Sequence, residues 1–119
     1  MLPALLLCLT AAKCQGNDSH PAGSRQFHRE YRYARHLFGS GEIGCLVSLW
    51  RQESGWNADA VNGLSGAYGI PQANPHYFGH PFALGAWRAQ IRWGKRYLDR
   101  RYGGSPCAAW SHEEADSWY

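Results

Sequence analysis

Methionine occurs once in 119 residues, and stronger absences bound what the chain can be. No apolar run reaches the ~20 residues that a membrane-crossing helix needs. No segment alternates apolar and polar residues for long enough to read as a half-buried strand. Neither a Cys-x-x-Cys pair nor a His-Glu-x-x-His run occurs, so the compact zinc patterns are missing. His76 and His80 are spaced for one helical turn, but Pro75, Gly79 and Pro81 surround them and favour loop histidines. No repeat or low-complexity tract is present. Charge is also modest: twelve Lys and Arg face nine Asp and Glu, a formal +3, too mild and dispersed for a nucleic-acid partner. A mostly α domain with little or no sheet is predicted, with no cofactor, no metal and no stable membrane span, acting as a monomer.

Aromatic residues are plentiful, with six Trp and seven Tyr. Flat rings pack on sugar faces, and they also fill ordinary cores. The slight positive balance suits an anionic polymer such as a cell wall bearing peptide carboxylates; a solvated helix face accounts for it equally well.

The stretch Met1 to Ala12 is almost wholly apolar and resembles the core of a secretory signal, with Thr10 and Ala12 as small residues before a cut. It lacks a basic leader, and Lys13 before Cys14 argues against a lipoprotein signal. Residues 13 to 25 are polar and turn-rich. The chain therefore divides into a signal-like segment over 1–12, a linker and N-terminal helix over 13–36, and a domain over 37–119, secreted or associated with the wall. Cys8 would leave with the signal. Cys45 and Cys107 lie far apart within the folded part, where export favours their oxidation. A bridge between them would contribute about 4 kcal/mol by restricting the unfolded chain, leaving Cys14 unpaired.

Phe27, Tyr31, Ala34 and Phe38 recur at the helical period until Gly39-Ser40-Gly41 stops them. A second helix carries Ile43, Leu46, Val47 and Trp50 on one face, widened by Leu49, with Ser48, Arg51 and Gln52 outside. Glu53 falls roughly 20° from Leu46 on the helical wheel, inside the apolar sector. A carboxylate there is expensive, and the helix dipole at that end disfavours its charge. From Gly55 to Pro81 the pattern becomes loop, of a kind able to line a cleft. A long helix is predicted from about Ala83 to Tyr102, buried through Leu84, Trp87, Ile91, Gly94, Leu98 and Tyr102. Gly103-Gly104 ends it, Pro106 follows, and Cys107 to Tyr119 reads as a short tail.

Around Glu53 the chain reads Trp50-Arg-Gln-Glu53-Ser54-Gly55-Trp56-Asn57, and further on Gly66-Ala67-Tyr68-Gly69-Ile70-Pro71-Gln72. Together these resemble the lytic transglycosylases of the lysozyme-like superfamily, in which a helix ends in Glu-Ser-Gly and a loop carries Gly-x-x-Gln. Cys45 paired with a late Cys107-Ala-Ala-Trp110 is similar to secreted actinobacterial proteins of the resuscitation-promoting-factor kind. The resemblance covers about residues 37–119. It departs in one respect: the late Ala-Tyr-Asn of many such enzymes is absent, and Tyr68, Tyr97 and Tyr119 are the tyrosines available in its place.

The resemblance implies cleavage of peptidoglycan glycan strands, with Glu53 as the acid. Protonating the departing oxygen requires a carboxyl still protonated near neutral pH, whereas a free Glu titrates near ~4.3; burial beside Leu46, Leu49 and Trp50 would supply the shift. Gln72 is expected to meet a sugar acetamido or hydroxyl group, Ser54 to orient Glu53 or end the helix, and Trp56, Tyr68 and Trp110 to line the cleft. A hydrolase usually needs a second carboxylate. Asp59 looks like a turn cap, Asp99 a surface pair, and Glu113, Glu114 and Asp116 solvated tail residues. The missing partner favours transglycosylation, in which the sugar's own hydroxyl attacks. A hydrolysing lysozyme and a non-catalytic wall-binding module are the alternatives.

Overall fold

Caps and glycines set where each helix begins and ends. The computed structural model describes residues 24–119; the signal-like segment, Cys8, Cys14 and most of the linker lie outside the described residues. The first helix, α1 (Arg25–Phe38), opens on Ser24, whose hydroxyl accepts from the Phe27 amide at 3.1 Å, and closes on Gly39 at φ 81°. The second, α2 (Ile43–Ser54), closes on the left-handed Gly55, whose N–H donates to the Arg51 carbonyl. A one-turn helix, α3 (Pro75–Phe78), interrupts the long loop. Extended pairing among the described residues is confined to isolated antiparallel bridges of Tyr68 with Val61 and Ala73. Among the described residues the fold is mostly helical, without a sheet, in line with the mostly α domain the sequence predicts.

The long helix, α4 (Trp87–Tyr102), starts later than its apolar stripe suggests. Gly85, at φ 80°, donates its N–H to the Ala58 carbonyl at 2.9 Å and turns the chain there, which leaves Leu84 exposed. The predicted tail is also helical: α5 (Pro106–Asp116) is opened by Ser105, whose hydroxyl accepts from the Ala108 amide at 3.0 Å. Pro106 is the first residue of this helix, where a missing N–H costs nothing, rather than a stop after the previous one.

The core gathers Leu46, Leu49, Trp50, Ile70, Ile91, Leu98 and Ala109. Phe27 and Ala34 of α1 belong to the same core, so the boundary expected at residue 37 falls within one packed body. Helices α2 and α4 approach closely at Gly94: a Cβ there would lie 2.4 Å from Cζ2 of Trp50. The expected disulfide joins Cys45 of α2 to Cys107 of α5, with Cα atoms 5.0 Å apart. Beside it, Glu42 Oε1 accepts from the Ser105 hydroxyl and the Cys107 amide, each at 2.8 Å. These bonds, the Cys107 amide first, hold the Glu42 carboxyl below its ordinary value. Among the described residues no helix is long and apolar enough to cross a membrane.

Candidate active site

Glu53 stands in the last turn of α2 and is 6% exposed, as its place in the apolar sector predicts. Its neighbour Ser54 is fully buried, and the Ser54 hydroxyl donates to the Ile70 carbonyl at 2.8 Å. Ser54 therefore does more than end the helix: it ties the Glu53 turn to the Gly69–Gln72 loop. The phenol of Tyr119 makes a second tie. It accepts from Trp50 Nε1 at 3.0 Å and donates to the Pro71 carbonyl at 2.8 Å. The two halves of the sequence motif are thus cross-linked by hydrogen bonds at the successive carbonyls of Ile70 and Pro71.

Two tyrosines border the carboxylate. Tyr97 of α4 donates its hydroxyl to the Tyr119 backbone carbonyl at 2.9 Å. Burial raises both phenols above the usual tyrosine value, Tyr119 by far the more, and the Glu53 charge adds to the rise in each. Tyr119 is half-buried as a residue, yet its hydroxyl end is enclosed. An aromatic row continues from it: Tyr119 meets Tyr97 edge-on, Tyr97 stacks on Trp93 at 5.3 Å, and Phe78 packs edge-on against both Trp93 and Tyr97. Tyr77, next to Phe78, is largely exposed.

Gln90 holds the loop from beneath and carries no motif. Fully buried on α4, it accepts from the Ile70 amide at 2.8 Å and donates to the carbonyls of Ala58 and Ala83. Gly69, at φ 78°, is the only residue type that fits above it, since a Cβ would come within 2.8 Å of both Gln90 and Phe82. Gln72 also has a left-handed backbone, φ 59°, and donates Nε2 to the Gly69 carbonyl at 3.0 Å. Its amide braces the loop backbone, and its side-chain oxygen accepts no hydrogen bond from the described residues.

The aromatics expected at the cleft are placed differently. Trp56 is 1% exposed, with its ring against Phe27 and Trp50 and Nε1 donating to the Val47 carbonyl. Such a ring has no free face for a sugar; it fixes the turn after Glu53, where its own φ is 59°. Tyr68 is likewise buried, its hydroxyl donating to the Phe82 carbonyl at 2.6 Å. Trp110, on α5, is half-buried against the core.

Among the other carboxylates, Asp99 makes the surface pair expected of it, 2.7 Å from Lys95. Asp59 is exposed beside Asn57, whose side chain accepts from the Asp59 amide. Glu113 is 2% exposed rather than solvated, because the segment that carries it is a packed helix; its charge reaches Tyr119. Glu30 of α1 is fully buried, and no motif in the sequence marks it. Gln26 donates to its Oε2 at 2.6 Å, Oε1 has no hydrogen-bond partner among the described residues, and burial raises the carboxyl to about 7. No group of three or more potential metal ligands occurs among the described residues.

No family model, curated protein or solved structure matches the chain. Fold and site together define its class in physical terms: a disulfide-linked, mostly helical domain with a buried carboxylate at a helix end, fastened to a glycine-bearing loop.

Proposed function

We propose that this protein is a peptidoglycan lytic transglycosylase that cleaves the β-1,4 bond between MurNAc and GlcNAc. The observation that carries the proposal is the enclosure of Glu53 in the last turn of α2, with Ser54 and Tyr119 binding that turn to the loop ending in Gln72. Little access to water disfavours an ionised carboxylate, which is what a general acid requires. In the reaction, Glu53 gives its proton to the departing GlcNAc O4 as the C1–O4 bond breaks. The C6 hydroxyl of the same MurNAc then bonds to C1, and Glu53 takes back that hydroxyl's proton, leaving a 1,6-anhydro end. One carboxyl serves both steps. Gln72 presents its side-chain oxygen to an acetamido N–H, and the exposed rings beyond Tyr97 seat the neighbouring sugars.

Glu53→Gln keeps the size of the side chain and removes the acid. Purified peptidoglycan digested with both proteins and analysed by mass should yield anhydro-muropeptides with the wild type. With the variant, the rate is expected to fall by at least a hundredfold, in keeping with the ~10²–10⁴ that general acid–base catalysis supplies. Hydrated reducing ends from the wild type would instead mark a hydrolysing lysozyme, and no products at all a glycan-binding module.

A further inference from the structure

The outer side of α1 has no part in this chemistry. Its exposed residues are Arg25, His28, Arg29, Arg32, Arg35 and His36. These recur at helical spacing, so every exposed position in the helix is basic and lies along one stripe. The helix's one acidic residue, Glu30, is turned inward and buried. None of the four arginines has an ion-pair partner among the described residues; Arg29 donates only to the Gln26 side chain. The neighbouring helices extend the same sign: Arg51 of α2 lies over the Phe27 ring, and Arg92 of α4 donates to the Tyr33 hydroxyl at 2.9 Å. Two shallow depressions of about 410 and 570 Å³ run along this stripe, both lined by Arg32. Four arginines on one face, none in an ion pair among the described residues although Arg29 feels the Glu30 carboxyl, repel one another, and an anion laid across them would remove that cost.

We propose that this face of α1 binds a phosphodiester-linked anionic polymer of the bacterial wall and so holds the enzyme on its substrate layer. The bacterial source rests on the proposed function; the phosphate chemistry rests on the stripe. Arginine presents a planar fork that matches phosphate, and no lysine stands among the six exposed residues. From Arg25 to Arg35 the helix rises ~15 Å, a positive charge about every 5 Å. That is dense enough for a polymer with a phosphate in every short repeat, and denser than stem peptides hanging from alternate sugars. A membrane surface fits poorly, because no apolar side chain is exposed along the helix to enter lipid. Single-stranded nucleic acid fits poorly too: Tyr31 and Tyr33 are half-buried, Tyr33 is engaged by Trp87 and Arg92, and no Trp, Tyr or Phe is exposed along the helix as a stacking platform.

The test measures binding of poly(glycerol phosphate) to the wild type, to the Glu53→Gln variant, and to a variant with Arg25, Arg29, Arg32 and Arg35 all replaced by Gln. All four positions are exposed, and Gln keeps the helix propensity; circular dichroism checks that the fold persists. The wild type and Glu53→Gln should bind alike. The four-site variant should bind at least tenfold more weakly, with its log Kd against log salt slope reduced by about 2–3, near 0.7 for every phosphate that is no longer neutralised. It should still cleave short soluble glycans at the wild-type rate. Unchanged affinity in the four-site variant would overturn the proposal. So would equally tight binding, at equal salt, of duplex DNA or of phosphatidylglycerol vesicles. Loss of the transglycosylase activity itself is read separately, by digestion with Glu53→Gln, and leaves the binding comparison standing.

Discussion

Glu30 and Glu53 are both buried carboxylates on the apolar face of a helix, and only one lies beside a loop with a recognisable motif. The pattern that singles out Glu53 is equally present at Glu30, which shares a face with Phe27 and Ala34. Burial alone therefore does not single out the proposed site; the Ser-Gly and Gly-x-x-Gln neighbours are what set Glu53 apart from Glu30 in the sequence. The role of Gln90 is hidden for another reason, since it rests on residues 20 and 32 positions away; Tyr97 and Tyr119 are among the tyrosines the sequence offers, but the bonds that place them span 22 to 69 positions. Glu30 yields a prediction of its own. Burial raises its carboxyl from 4.5 to about 7 in the folded protein, so the native state binds a proton that the unfolded chain releases at lower pH. Stability is then greatest below about 4.5 as far as this group is concerned. It falls as pH rises toward about 7 and is flat beyond. Glu30→Gln keeps an acceptor for Gln26 and removes the titration. It should abolish that decline and stabilise the protein at pH 8 by roughly 1–3 kcal/mol, checked by urea unfolding between pH 4.5 and 8. A variant that declines just as the wild type does would show that Glu30 is not the titrating group.

At the scale of elements, periodicity predicts the body of α1, α2 and α4, because each packs through a regular apolar stripe. It misses the start of α4 and all of α5. Gly85 is bonded to Ala58, a contact that no local pattern announces, and α5 buries only Pro106, Ala109 and Glu113, too few apolar positions to show a stripe. The Ser105-Pro106 opening is legible in the sequence, but after Gly103-Gly104 it reads equally well as the end of what precedes it. The 55–81 segment is mostly loop, as its composition predicts, yet its shape comes from Gln90, which spans three stretches of chain from α4. Replacing Gln90 by Leu keeps the bulk and strips the Ile70 amide and two carbonyls of their partners. Each buried orphan costs ~1–3 kcal/mol, so a loss of about 3 kcal/mol or more is expected by denaturant melting. Activity should suffer beyond that loss, since the loop bearing Gln72 is no longer held against α2. Measured well below the unfolding midpoint, kcat/KM should drop by at least tenfold while the helical dichroism is unchanged. Wild-type kcat/KM in a folded variant would mean the loop is positioned by Ser54 and Tyr119 alone.

The whole molecule is held together where α2 and α5 begin. The disulfide joins residues separated by 62 positions, and the Glu42 carboxylate bonds the Ser105 hydroxyl and Cys107 amide at the same junction. The two devices act on different states. The bridge restricts the unfolded chain, by about 4 kcal/mol for a loop of this length; the Glu42 bonds exist only in the folded one. A body this small carries ~5–15 kcal/mol of net stability, so removing the bridge takes a large share of it while leaving the packing around the site in place. Replacing Cys45 and Cys107 by Ser should therefore lower the melting temperature by well over 10 °C, at about 4–8 °C for each kcal/mol in a domain of this size. At low temperature the variant should keep its near-ultraviolet dichroism and its activity, because Glu42 still latches α5 to α2. The Glu42 bonds favour the ionised carboxyl, so their contribution is present above its unfolded pKa and lost as pH falls through the lower folded one. The bridgeless variant should consequently be the more acid-sensitive of the two proteins in fraction folded, having less stability to lose. A melting temperature unchanged by both the double substitution and added reductant would mean that the unfolded chain is already as compact as the bridge makes it.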